Sequence, residues 1–206
     1  MPKARKQHKR RSFSHKKRPS LSSRAFLIGA LLIFIALLAG WWLNRSAGRD
    51  LLYDTHYEVM GAPSIDVNQI NQVLDFYGSP AHDKGQALYD LGVQYGVDPI
   101  YALAFFQHES RFGTTGVATV THSLGNIRAT PGYESFDGYR KYKTWEAGFE
   151  DWYKLITVQY VEKWKLVTVD QIIPVYAPSS DHNDVDAYIQ SIKDAVTIWR
   201  SGQVQV

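Results

Sequence analysis

The sequence predicts a mainly α-helical domain with one long loop beside its cleft, preceded by a single membrane-spanning helix. Three observations predict it. From residue 64 onward, apolar residues recur every three to four positions in stretches closed by glycine. Residues 114–143 break that pattern with Thr, Gly, Tyr and Pro. Residues 25–43, AFLIGALLIFIALLAGWWL, carry no charge.

The apolar run is nineteen residues long. As a helix it spans about 28 Å, close to the hydrocarbon thickness of a bilayer. Trp41 and Trp42 stand at its end, where aromatic rings favour the interface. Residues 1–24 hold ten Lys/Arg and no acid. That asymmetry predicts a cytoplasmic N-terminus and a domain outside the membrane. A cleaved signal peptide would end its apolar run in a small-x-small site; here Trp-Trp-Leu follows. A retained anchor is therefore expected. The formal net charge of +3 conceals this segregation, because residues 25–206 sum to −7. The expected domain accordingly gives no sign of nucleic-acid binding. With no cysteine in the chain, disulfides, zinc–thiolate sites and cysteine nucleophiles are excluded.

The organisation expected is a basic cytoplasmic tail over 1–24, an anchor over 25–43, a stalk or the first wrap of the domain over 44–63 and a folded domain over 64–206. Within that domain, Ile65, Ile70, Val73, Leu74 and Tyr77 mark a first helix that Gly78 stops. Leu88, Leu91 and Tyr95 mark a second, ended by Gly96. Asp98 and Pro99 form an N-cap and first helical position for DPIYALAFFQHESRFG, which closes at Gly113. A short β-hairpin is expected within 133–142. Thr144 caps the helix TWEAGFEDWYKLITVQYVEKW. Thr168 and Gln171 suit a capping box. The last helix buries Tyr188, Ile189, Ile192, Val196 and Trp199. Before it, DHNDVD has the oxygen ligands of a Ca²⁺ loop, but it lacks the glycine and distal Glu of an EF-hand. It reads as a helix cap.

Glu109 is the unusual residue. It ends an apolar helix, with Phe105 and Phe106 one turn back on its own face. Desolvation and the negative end of the helix dipole both disfavour its anion. That is the environment of a general acid, although an isolated helix-end glutamate is more often a surface residue.

The stretches ESRFGTTG, SLGNIR, YRKYKTWEAGFEDWYKLI and IIPVYAPSSDHNDVDAYI resemble the glucosaminidase-type peptidoglycan hydrolases of the lysozyme-like superfamily, over roughly residues 60–202. The resemblance implies a lysozyme-like α domain that cleaves the β-1,4 glycan backbone of the bacterial cell wall. It assigns the acid to Glu109, and implies no metal or organic cofactor. Some members carry a second acid on the hairpin, where this chain offers Glu134 and Asp137. Lytic transglycosylases of the same superfamily use a single glutamate. Aromatic residues suit pyranose faces, so Tyr133, Tyr139, Tyr142 and Tyr176 are candidate glycan contacts. Tyr142 is the best match to the family's tyrosine, and hairpin packing is the competing role for Tyr139. Ser123 and Asn126 are candidate contacts for an N-acetyl group, with turn formation as their competing role. The expected partners are peptidoglycan strands and the membrane, not nucleic acid, and the chain is expected to be a monomer.

Overall fold

A computed structural model describes residues 57–206. The basic tail and the expected anchor lie outside the described residues. Among the described residues, no helix is long and apolar enough to cross a membrane.

The domain is mainly helical. Helix α1 spans Val67–Phe76, α2 Gly85–Tyr95, α3 Pro99–Ser110 and α4 Ala118–Thr121. Strands β1 (Ser135–Phe136) and β2 (Tyr139–Arg140) follow, then α5 (Trp145–Lys154), α6 (Val169–Tyr176) and α7 (Val185–Arg200). Asp66, Asp98, Thr144 and Asp184 each cap a helix by accepting a backbone N–H. The cap at Asp184 is the role expected of the DHNDVD stretch.

Helix α3 is the axis of the fold. Ile100 to Phe106 are all buried, so it is apolar around its whole circumference, as a central helix must be. It packs against α7, α2 and α5. Phe105 and Phe106 lie against Trp152 of α5 at 5.2 and 5.3 Å between ring centroids. Fully burying such side chains contributes about 1.5–3 kcal/mol each.

Four features refine or depart from the sequence expectation. Of the two readings of the segment before residue 64, residues 57–63 take the second, a first wrap of the domain: Val59 is buried, its N–H bonds the Val167 carbonyl and its carbonyl accepts from Asp98 N. The long loop contains a single helical turn, α4. The hairpin is shorter than 133–142, with two residues per strand around Asp137-Gly138. Both turn residues have positive φ (48° and 80°), as a tight two-residue hairpin requires. Finally, the helix after Thr144 widens into a π-helix over Leu155–Lys163. Ile156 and Tyr160 are the buried residues of that segment, and the Tyr160 ring stands 6.0 Å from that of Tyr176.

Gly148 locks the loop to α5. A Cβ at this position would stand 2.1 Å from the His122 carbonyl oxygen, so the backbones touch only because the side chain is absent. Gly148→Ala is expected to cost about 1–3 kcal/mol through overpacking against rigid backbone. The measurable outcome is a melting temperature lower by roughly 4–10 °C in a thermal unfolding scan. An unchanged melting temperature would show that the loop yields at no cost.

Candidate active site

The site begins with the way α3 ends. Arg111 and Phe112 both adopt left-handed backbone conformations (φ 48° and 56°), which side chains with a Cβ resist. Phe112 is fully buried against Tyr77 and Trp199, and that burial offsets the strain. The chain therefore reverses immediately after Ser110. The Ser110 hydroxyl donates to the Leu124 carbonyl (2.9 Å) and accepts from Gly113 N (2.9 Å). It ties the helix end to the following loop.

Asn126 completes the junction. Its φ of 46° is left-handed, a conformation asparagine tolerates. Its Nδ2 donates to the Glu109 backbone carbonyl at 2.8 Å and lies 3.4 Å from Glu109 Oε2. Glu109 Oε1 accepts from the Tyr188 hydroxyl of α7 at 2.6 Å. The ring of Phe105 stands against Tyr176 at 5.2 Å and Tyr188 at 5.9 Å. Burial raises the Glu109 carboxyl above its ordinary range. The hydrogen bonds from Tyr188 and Asn126 and the charge of Arg128 oppose that rise without cancelling it.

A cleft of about 110 Å³ opens over this carboxyl. Glu109, Asn126, Arg128 and Tyr139 line it from the helix end and loop; Tyr176, Ala177, Asp181 and Asn183 line it from the end of α6 and the chain after it. Arg128 and Asp181 join the two sides at 3.7 Å, with side chains 67% and 49% exposed. The Tyr176 hydroxyl donates to the Gly125 carbonyl. Arg128 also lies over the Tyr139 ring at 4.9 Å.

The remaining candidates fall elsewhere. Ser123 is buried, and its hydroxyl accepts from Ile127 N at 3.2 Å, a turn-forming contact. Glu134 is 62% exposed on its side chain, pairs with Lys141 at 3.6 Å and does not line the Glu109 cleft. Tyr133 and Tyr142 converge on Asp151 of α5, whose carboxylate accepts from their hydroxyls at 3.1 and 2.5 Å. Arg140 Nη1 joins the same carboxylate at 2.6 Å, and its guanidinium covers the Tyr133 ring at 3.8 Å. Both charged side chains are only 11% exposed. These two tyrosines border a separate pocket of about 300 Å³ with Glu150 and Lys154.

Sequence reasoning missed Arg128, Asp181, Asn183 and the role of Tyr188. Asp181 and Asn183 belong to the DHNDVD stretch, and Tyr188 to a core-facing stripe. No spacing rule brings any of them to Glu109, because the contacts join segments about 20 to 80 residues apart.

Compared with known families, residues 85–198 match the model described as mannosyl-glycoprotein endo-beta-N-acetylglucosaminidase, more than half of the 206 residues. A comparison with curated proteins returns no match.

The raised carboxyl has a consequence for stability. Glu109 keeps its proton in the folded state to a higher pH than in the unfolded state. The two states agree below the unfolded value of about 4.3. Above it the unfolded chain ionises first, so stability falls as pH rises through the folded value. Glu109→Gln removes that penalty. The variant is expected to melt above the wild type at pH 7, with the difference closing near pH 4. A gain of equal size at both pH values would contradict this origin.

Proposed function

The chain belongs to the mannosyl-glycoprotein endo-beta-N-acetylglucosaminidase family, and we propose that it cleaves the β-1,4 glycan backbone of bacterial peptidoglycan with Glu109 as general acid. One observation carries this reading: a partly buried carboxyl, held above its usual titration range, lines an open cleft. A surface glutamate would be ionised at neutral pH and have no proton to give. Here burial favours the protonated form, and a glycosidic oxygen entering the cleft would receive that proton as the C–O bond breaks.

Cleft chemistry supports a sugar substrate. Tyr139 and Tyr176 provide apolar ring surface and hydroxyls, while Asn126, Asn183, Arg128 and Asp181 provide hydrogen-bonding groups. In a hydrolase, a second carboxylate would act as base or stabilise the cationic sugar. Glu134 on the hairpin is the candidate that the family resemblance offers, and Asp181 is the other acidic residue lining the cleft.

A lytic transglycosylase is the second reading. The outward placement of Glu134, paired with Lys141, favours it, because that chemistry needs one glutamate and ends in a 1,6-anhydro sugar. We further propose that residues 25–43 hold the domain on the outer face of the cytoplasmic membrane, on the strength of that uncharged stretch and the basic block before it. In that case the full chain stays in the membrane pellet through alkaline carbonate extraction. Its release into the supernatant would refute the anchor.

Glu109→Gln is the decisive variant for the chemistry. It keeps the shape of the side chain but has no proton to donate, so cell-wall cleavage should fall by about 10²–10⁴-fold with glycan binding retained. Near-normal cleavage would mean another residue is the acid. Mass spectrometry of the released muropeptides then separates the two readings. Reducing N-acetylglucosamine ends identify the glucosaminidase, and 1,6-anhydro ends the transglycosylase.

A further inference from the structure

A protonated carboxyl carries one hydrogen on one of two oxygens, and only the oxygen facing the substrate can deliver it. The two oxygens of Glu109 have different surroundings. Oε1 accepts from the Tyr188 hydroxyl at 2.6 Å. Tyr188 is 3% exposed and is not among the residues lining the cleft. Oε2 lies 3.4 Å from Asn126 Nδ2, and Asn126 does line the cleft.

The direction of the Tyr188 bond follows from counting hydrogens. A phenol has one, and a buried one must be given to an acceptor. Among the described residues, Glu109 Oε1 is the acceptor within its reach. Burial holds the Tyr188 phenol well above its usual range, so it stays a donor. Oε1 thereby plays the carbonyl oxygen of the acid, and the carboxyl hydrogen belongs on Oε2.

The hydroxyl is held where it is by its own neighbours. The His108 ring stacks on the Tyr188 ring at 3.6 Å and 14° between planes. His108 Nδ1 bonds Ser191 Oγ at 2.7 Å, and that hydroxyl donates to the Tyr188 carbonyl at 2.9 Å. Ser191 has thus spent its hydrogen, so His108 Nδ1 is the donor in their bond. Phe105 supports the ring from the core.

Taking Glu109 as the acid proposed above, we propose that Tyr188 is a positioning residue that confines the Glu109 proton to Oε2, the oxygen beside Asn126 and the cleft. It touches no substrate and acts through Glu109 alone. The other ionisable groups around Glu109 are Arg128 from the loop, Tyr139 from the hairpin, and Tyr176 and Asp181 from the opposite wall; His108 faces Tyr188.

Tyr188→Phe keeps the ring and its stack on His108, and removes only the hydroxyl. The test uses the full chain and two readouts. The first is a carboxyl-¹³C NMR titration of Glu109. The second is the pH profile of cell-wall cleavage. The lost hydrogen bond favoured the ionised form, so Glu109 in Tyr188→Phe should titrate higher, by roughly half a unit to one unit. The alkaline limb of kcat should move up with it. The proton is no longer confined to one oxygen, so kcat should fall about 10–100-fold with KM little changed. Replacing Tyr188 with 3-fluorotyrosine keeps the hydroxyl and makes it a stronger donor, so both the titration and the limb should move down. An unmoved Glu109 titration in both variants overturns the proposal. Lost activity with an unmoved alkaline limb overturns it as well, leaving Tyr188 a packing residue. Near-normal cleavage by Glu109→Gln sinks the functional reading itself, and with it any catalytic role for Tyr188. An inactive Glu109→Gln beside an unmoved titration sinks the Tyr188 proposal alone.

Discussion

The backbone carbonyl of Glu109 must be satisfied from outside its own helix, and the site is built around that requirement. In a continued helix the N–H of Gly113 would reach it, but that group donates to the Ser110 carbonyl instead (3.1 Å). A buried helix end without partners is costly. Asn126 supplies the missing donor from a loop that Ser110 has already tied down. The Glu-Ser pair and the asparagine turn thus form one joint. The same amide that ends the helix lies beside the carboxyl, so the cap and the carboxyl's surroundings share a side chain. Moving the loop would expose both.

The hairpin is held by charge rather than by apolar packing. The two-stranded hairpin is too short to be stable alone. Asp151 fixes it to α5 by drawing Arg140, Tyr142 and Tyr133 onto one carboxylate. With both ionic side chains only 11% exposed, this pair differs in kind from a surface bridge. Removing one partner would leave the other charge buried and uncompensated. Two tyrosines that looked like free sugar platforms are therefore partly committed to structure. Tyr133 still offers one ring face, since Arg140 covers the other.

Local rules made most of the helices legible. Caps at Asp98, Thr144 and Asp184, a glycine stop at Gly96, and three-to-four spacing gave their order and approximate ends, because each signal depends on near neighbours. Glu109 stood out for the same reason: its apolar neighbours are one turn away on its own helix. Of the two side chains that hydrogen-bond its carboxylate, Asn126 was a candidate but Tyr188 was not legible. Tyr188 is 79 residues distant, and on a helical projection it is simply core. Ser123 and Asn126 sit three residues apart in one turn, yet Ser123 faces inward to Ile127 and Asn126 outward to the cleft. Composition cannot tell such neighbours apart. The π-helical widening at Leu155–Lys163 was equally invisible, since the apolar pattern of that stretch also suits an ordinary helix.

The contact between Arg128 and Asp181 has a different character from everything beneath it. Both partners face water, so dissolved ions screen them over a length of about 10 Å at 0.1 M salt. Tyr188 and Asp151 are shielded from that screening by the protein around them. Fresh water strengthens the attraction across the mouth of the cleft and brine weakens it. Because the charge of Arg128 also acts on Glu109, the ionic medium reaches that carboxyl through the same arginine.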